Sequence, residues 1–312
     1  MKFRKLGNSG LEVSPVSLGT WVFGGDCWGQ ADDGLSERVV HEAIDSGINM
    51  IDTAPVYGSG RSEDIVGKAI KGKRNGLILA TKCGLEAGRS GIRVDLSPAF
   101  IRRDIEGSLK RLKVDVIDLY QCHWPDKKTP LEQTFGEMNK LVREGKIRAI
   151  GVSNFDNTLL SEALDYADIA SNQVQYSLFD RSIERGTVPL CEKKGVSILA
   201  YGPLGGGILT GKYTEPPRLD KGDVRSFFYR YYKEPFWSRG KMLVSVLARI
   251  AENRKVNIGE VALNWVLSRD ITAAAIAGCR TPDHVIKNAS AMKWRLSAEE
   301  LSEIEEEYKK VF

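Results

Sequence analysis

The chain reads as an α/β protein and, within that class, as a closed (β/α)8 TIM barrel. Three observations predict this. Eight short apolar runs recur from about residue 15 onward, separated by amphipathic stretches of helix length. The runs are apolar without polar alternation, as in strands of a parallel sheet covered by helices. No Gly-x-Gly-x-x-Gly opens a dinucleotide-binding crossover, which disfavours a doubly wound open sheet. A chain of 312 residues accommodates eight such units.

The elements follow in order. A short hairpin is expected at residues 2–13. The predicted strands are Val16–Gly19, Asn49–Asp52, Leu77–Thr81, Val116–Gln121, Ala149–Val152, Ser171–Val174, Ser197–Ala200 and Ala273–Ile276. The first helical pattern is Ser36–Ser46, with Val39, Val40, Ala43 and Ile44 at helical spacing and Gly47 as its stop. Others are Arg61–Lys71, Pro98–Leu112, Leu131–Glu144, Asn157–Tyr166, Ile183–Lys194 and Pro282–Ala291. Ser97-Pro98 and Thr281-Pro282 read as helix starts, each a capping hydroxyl followed by proline in the first turn. Between Gly205 and about Lys241 the pattern breaks down. That segment carries Pro216, Pro217, Pro235 and the aromatics Phe227, Phe228, Tyr229, Tyr231, Tyr232, Phe236 and Trp237, and it reads as a flap over a ligand. Ser297–Lys310 reads as an acidic helix packed outside the barrel. No linker, repeat or low-complexity tract divides residues 1–312, so one domain is expected.

Bulk composition narrows the function classes. Hydrophobic content of 42% and charged content of 28% are ordinary for a soluble globular protein. The net charge of +4 is mild and its lysines and arginines are scattered among acids, which argues against nucleic acid and fits an anionic cofactor. The five cysteines, Cys27, Cys83, Cys122, Cys191 and Cys279, are odd in number and form no Cys-x-x-Cys pair. No metal site is expected, and a reducing compartment with free thiols is the simpler reading. The N-terminus lacks an apolar signal core, and no run of about 18 apolar residues spans a membrane. A cytoplasmic monomer is the default expectation.

The chemistry sits at strand ends. The run Ile48-Asn49-Met50-Ile51 delivers Asp52, and five residues later Tyr57 stands in a Pro/Gly-marked loop. Leu77-Ile78-Leu79-Ala80-Thr81 delivers Lys82, and Val116–Gln121 leads to His123. Barrel active sites form where strands end and helices begin. Free tyrosine has a pKa near 10. A neighbouring ammonium favours the phenolate and lowers that pKa, and an aspartate holds the ammonium charged and oriented. An imidazole can orient a carbonyl. Taken singly, each residue has an ordinary structural reading as a cap, a packed ring or a solvated charge. Their joint occurrence at three successive strand ends points to proton transfer at an oxygen. The set contains no hydride source, so the carbon-centred half of the reaction needs a cofactor.

These residues lie within motifs that resemble the aldo-keto reductase superfamily over nearly the whole chain, and within it the bacterial general-stress and inositol-cluster reductases. The motifs are Leu18-Gly19-Thr20-Trp21, Asp52-Thr53-Ala54-Pro55-Val56-Tyr57-Gly58, Ala80-Thr81-Lys82, His123-Trp124-Pro125-Asp126, Gly151-Val152-Ser153-Asn154-Phe155, Asn172-Gln173-Val174-Gln175-Tyr176-Ser177 and Tyr201-Gly202-Pro203-Leu204-Gly205-Gly206-Gly207. The resemblance implies NAD(P)H-linked carbonyl reduction of a small-molecule substrate. It implies Tyr57 as general acid, Lys82 and Asp52 as its tuning pair, and His123 as the substrate-orienting partner. It places Gly19, Thr20, Trp21 and Asp52 beside the cofactor and gives the nicotinamide carboxamide to Ser153, Asn154 and Gln173, whose groups suit an amide. Tyr201 would stack on the nicotinamide ring, and Gly202, Pro203, Leu204, Gly206 and Gly207 would let backbone approach the pyrophosphate. Trp21, Tyr57, His123 and Trp124 would line the substrate pocket.

The adenosine end of the cofactor is expected on Gly278, Cys279, Arg280, His284, Lys287 and Asn288, where a strand opens into a helix whose free N–H groups favour an anion. Arg280 is the candidate clamp for a 2′-phosphate, since guanidinium matches phosphate in a bidentate way. Lys212 and Arg225 are placed to close over the diphosphate. His284 is a mostly neutral imidazole where many members carry a basic residue. NADPH is favoured, with NADH as the alternative. The leading expectation is therefore an NADPH-dependent reductase of aldehydes or ketones. The alternatives are a polyol or sugar dehydrogenase and a cofactor-sensing subunit with slow turnover.

Overall fold

The computed structural model describes residues 2–25, 28–88, 91–220 and 222–312. Eight parallel strands close into a barrel: β1 (Val16–Gly19), β2 (Met50–Asp52), β3 (Ile78–Cys83), β4 (Ile117–Cys122), β5 (Ile147–Ser153), β6 (Ile169–Gln175), β7 (Ser197–Tyr201) and β8 (Thr272–Gly278). Each strand pairs with its neighbour in sequence, and β8 returns to β1 with Ala275 opposite Val16 and Gly278 opposite Gly19. The expected strands are all present. Around them run α1 (Asp33–Asp45), α2 (Arg61–Ala69), α3 (Pro98–Leu112), α4 (Leu131–Arg143), α5 (Asn157–Ala163) and α6 (Thr187–Lys194). They are followed by α7 (Phe236–Arg254), α8 (Ile258–Leu267), α9 (Pro282–Ser290) and α10 (Ala298–Val311).

Alternation along each strand sorts side chains between two cores. Met50, Ile78, Ala80, Leu119, Ala149, Ala170, Leu199, Ala273 and Ile276 cluster with Leu6, Leu11 and Val13. Those last three come from the expected N-terminal hairpin, whose strands Arg4–Lys5 and Glu12–Val13 pair antiparallel. The hairpin therefore stoppers the barrel at its N-terminal end. Leu6 and Leu11 are fully buried there, each contributing roughly 1.5–3 kcal/mol. Arg4 ties the hairpin down by donating to the carbonyls of Thr272 (2.5 Å) and Leu267 (2.7 Å). Gly7 is required in its turn: φ is +51°, and a Cβ would lie 2.3 Å from the Ala170 carbonyl oxygen. The outward-facing residues pack beneath the helices in a second, larger core.

Four features differ from the expected pattern. The flap is shorter than predicted, because α7, a helix absent from the expected pattern, begins at Phe236 with Pro235 at its N-cap. Within the remainder, Gly205–Thr210, Arg225–Phe228 and Arg230–Tyr232 form short helical turns. Helix α8 escaped notice because its residues Gly259 to Leu267 are all buried, which leaves no polar face to set a period. A second hairpin pairs Leu85–Gly88 with Gly91–Val94, largely exposed and without an apolar signature. Ser97 occupies the N-cap of α3 but its hydroxyl makes no capping bond, whereas the Thr281 hydroxyl accepts from His284 N–H at the start of α9. Ser297 and Glu300 form a capping box on α10, which packs against α7 outside the barrel.

Candidate active site

Asp52 closes β2, Lys82 is the penultimate residue of β3, and His123 follows β4 directly. Tyr57 reaches the same place from the loop after β2. All four are buried, Lys82 completely. Lys82 Nζ donates to Asp52 Oδ1 at 2.6 Å, to the Thr53 carbonyl at 3.1 Å and to the Tyr57 hydroxyl at 3.2 Å. The imidazole of His123 meets the Tyr57 ring edge-on, with centroids 5.8 Å apart and planes at 83°. The structure thus brings together the four residues that the sequence placed at strand ends.

Electrostatics differ from expectation at Tyr57. Burial raises the phenol pKa, and this outweighs the Lys82 ammonium, which acts to lower it; Asp52 adds to the rise. The lowered phenol pKa predicted from the lysine alone is therefore corrected, because desolvating a phenolate costs more than one ammonium recovers. For Lys82, burial acts downward, but the attraction of Asp52 and Tyr57 and their hydrogen bonds leave its pKa raised, so the ammonium form persists. Burial, with Lys82 second, pushes His123 well below the usual histidine range, so the ring is neutral near pH 7.

The residues assigned to the carboxamide adjoin this set. Ser153 Oγ donates to the Gln173 carbonyl at 2.8 Å, and Asn154 Nδ2 donates to Ser153 Oγ at 3.0 Å and to the His123 carbonyl at 3.3 Å. Asn154 has φ of +60°, and its Oδ1 accepts from the Tyr201 hydroxyl at 3.0 Å. The Gln173 side chain is turned inward, donating to Asp52 Oδ2 at 2.8 Å. Thr20 is buried and donates to the Asp52 carbonyl at 2.9 Å, beside Gly19 at the end of β1.

Aromatic rings wall the space beside Tyr57. Trp21 stacks on it with centroids 5.8 Å apart, and Phe228 from the flap abuts Trp21 at 5.9 Å and Tyr201 at 6.2 Å. Trp28, which sequence reasoning missed, meets Trp21 edge-on at 5.5 Å. Trp124 stands exposed next to buried His123. Gln121 was also missed. A second polar residue in β4 besides Asp118, in register with Lys82, was the available signal.

After β7 the backbone turns through Gly202, Pro203, Leu204, Gly205, Gly206 and Gly207. Gly206 and Gly207 have φ of +67° and +102°, and a Cβ on them would come within 3.0 Å of the Tyr229 ring and 3.2 Å of Lys212 Cε. These glycines let the turn pack closely against Tyr229 and Lys212, and the Thr281-capped N-terminus of α9 follows Gly278 and Cys279. The basic residues already have partners. Arg225 pairs with Asp223 at 2.6 Å and donates to the Tyr213 hydroxyl at 2.7 Å. Lys287 pairs with Asp283 at 2.6 Å, and exposed Arg280 donates to the Trp28 carbonyl. Asn288 is buried and donates to Cys279 Sγ at 3.2 Å. His284 is shifted below the usual histidine range by burial, with Lys212 second. Cys83, Cys122, Cys191 and Cys279 are free and buried; Cys27 lies outside the described residues. Among the described residues no group of three or more His, Cys, Asp or Glu could hold a metal ion, and no helix is long and apolar enough to cross a membrane.

A stoppered barrel with a buried acid, amine, phenol and imidazole at its mouth defines a class. Residues 15–309 match the Aldo/keto reductase family, and the chain belongs to it, as an NAD(P)H-dependent oxidoreductase. Among its relatives is the aldo-keto reductase YhdN of Bacillus subtilis (strain 168), 38% identical over 307 residues that cover 97% of this chain and 92% of the relative. The NADH-specific methylglyoxal reductase of Escherichia coli (strain K12) is 34% identical over 319 residues, covering 95% of each. Among solved structures, the glycerol dehydrogenase AKR11B4 from Gluconobacter oxydans superposes with a TM-score of 0.91 at 38% identity, covering 99% of this chain and 95% of that one.

Proposed function

We propose that this protein reduces aldehydes, and some ketones, to alcohols with NADPH, and that Tyr57 is the general acid. The observation that carries the reading is the buried chain Asp52–Lys82–Tyr57, with links of 2.6 and 3.2 Å. When bound, the nicotinamide would supply the hydride that the carbonyl carbon takes. Tyr57 gives its proton to the carbonyl oxygen. Its raised pKa keeps the phenol protonated beforehand, which suits an acid. Lys82, 3.2 Å away, stabilises the phenolate left behind, and Asp52 holds the ammonium in place. Neutral His123 orients the carbonyl oxygen by donating from its ring, and water restores the Tyr57 proton after product leaves.

Ser153, Asn154 and Gln173 would hold the carboxamide, Tyr201 would lie along the ring, and the Gly202–Gly207 turn with Lys212 and Arg225 would take the diphosphate. Arg280 and Lys287 favour the 2′-phosphate of NADPH, against the NADH preference in the name of the Escherichia coli relative. The Gluconobacter relative's name favours a second reading, oxidation of a polyol by the reverse reaction. We also propose that residues 1–312 act as one domain, as a cytoplasmic monomer on a small carbonyl compound without nucleic acid or membrane; the mixed surface charge and free thiols support this. The aromatic wall of Trp21, Trp28 and Phe228 suits apolar or aromatic aldehydes and equally the stacking of sugars. The test is Tyr57→Phe. Aldehyde reduction should fall by roughly 10²–10⁴ while NADPH affinity stays close to wild type; unchanged turnover would refute the role.

A further inference from the structure

Gln121 takes no part in the chain just described, yet it is wholly buried beside it. It lies on β4 two residues before His123, in register with Lys82 on one neighbouring strand and Gly151 on the other. A Cβ on Gly151 would come 2.9 Å from Gln121 Cγ, so the glycine leaves the space that the glutamine stem crosses. Gln121 Nε2 donates to Asp52 Oδ2 at 3.3 Å, and Gln121 Oε1 accepts from Gln173 Nε2 at 3.4 Å. Gln173 Nε2 also donates to Asp52 Oδ2, at 2.8 Å. The other carboxylate oxygen, Oδ1, takes Lys82. Three side chains from β2, β4 and β6 thus close a ring inside the barrel.

A carboxylate only accepts, so each amide must turn its nitrogen toward Asp52. An amide nitrogen has two N–H groups. Gln173 gives one to Asp52 and the other to Gln121, which leaves its carbonyl oxygen as the group with which to meet a ligand's amide donor. Without Gln121, Asp52 loses one of its two amide partners on Oδ2, and Gln173 loses the bond that fixes the rotation of its amide.

We propose that Gln121 is a positioning residue: it holds the Asp52 carboxylate against Lys82 and orients the Gln173 amide toward the bound cofactor. This rests on the reading of Asp52–Lys82–Tyr57 as the proton-delivery chain. Two variants test it. Gln121→Leu keeps the volume and removes both bonds; kcat/KM for aldehyde reduction should fall roughly tenfold or more at every pH, the scale of a lost hydrogen bond to a charged group. Gln121→Glu is the sharper probe. A protonated glutamic acid donates to Asp52 as the amide does, whereas an ionised one places like charges side by side. Its kcat/KM should approach wild type at the acid end of the range and fall as pH rises through the new carboxyl's titration. The other groups facing this point, Asp52, Lys82, Tyr57 and His123, are common to all variants, so the new limb belongs to residue 121. A merely space-filling role would create no such limb. A Gln121→Glu profile superimposable on wild type, or a Gln121→Leu enzyme at the wild-type rate, overturns the proposal. Tyr57→Phe assayed alongside separates the two ideas. If it keeps its rate, the proton-delivery reading fails; if only the Gln121 variants keep theirs, the positioning role fails alone.

Discussion

On the β2–β4 side of the barrel mouth, Asp52, Lys82 and Tyr57 are buried and bonded to one another. On the β7–β8 side, Arg225, Arg280 and Lys287 sit on loops and a helix end, engaged with Asp223, the Trp28 carbonyl and Asp283. The first group is assembled by strand geometry. On the proposed function, the second would exchange these partners for the cofactor's phosphates. The exposed Lys287–Asp283 pair is worth about 0–1 kcal/mol, so exchanging it costs little, whereas Arg225–Asp223 is more deeply set and costs more to part. Breaking a buried pair leaves an uncompensated charge and costs far more. On the proposed function, chemistry sits where rearrangement is expensive, and the 2′-phosphate contacts of Arg280 and Lys287 where it is cheap.

That contrast can be broken by substitution on each side. Lys82→Met should show the largest effect. It strands the Asp52 carboxylate in the interior, so unfolding stability should drop by about 3–5 kcal/mol. Aldehyde reduction should fall with it by two orders of magnitude or more. Denaturant melts and steady-state rates check both, and a variant as stable as wild type would erase the distinction. Arg280→Ala should sharpen it from the other side. Stability should stay within about 0.5 kcal/mol. The Kd for NADPH should rise about tenfold, equivalent to about 1.4 kcal/mol, while that for NADH changes little. Equal effects on both would remove Arg280 from the 2′-phosphate.

The smallest effect concerns His123. Its pKa in the folded protein lies below the unfolded value of about 6.5, because of burial and then Lys82. A depressed histidine contributes stability that is fully present above about pH 6.5 and is lost as pH falls toward the folded pKa. Each pH unit in that window costs up to about 1.4 kcal/mol. The melting temperature of wild type should therefore fall more steeply below pH 6.5 than that of His123→Gln. Parallel curves would mean that the imidazole is not held neutral by its surroundings.

How much was legible in the sequence follows from the same contrast. Strand-end residues could be read because an apolar run followed by a polar residue fixes both element and position, as at Asp52, Lys82 and His123. The internal ring around Asp52 was harder to see. Gln121 and Gln173 meet Asp52 across the barrel interior, and only closure of the sheet brings β2, β4 and β6 together. The sign of the Tyr57 shift was missed because a sequence shows the neighbouring lysine but not the depth of burial. Helix α8 was hidden by its completeness, with no solvent face to mark its turns. The flap was over-extended because Pro235 and its aromatic neighbours look the same whether they end a loop or begin a helix.

The N-terminal hairpin has one further effect on how the barrel works. Leu6, Leu11 and Val13 fill the far end and side chains fill the interior, so on the proposed function reactant and product both use the rim carrying Trp21 and Phe228. Aldehyde entering and alcohol leaving then pass the same threshold. A change that narrows it to exclude bulky reactants will therefore slow the exit of bulky products as well, so selectivity and turnover at this rim are tied together.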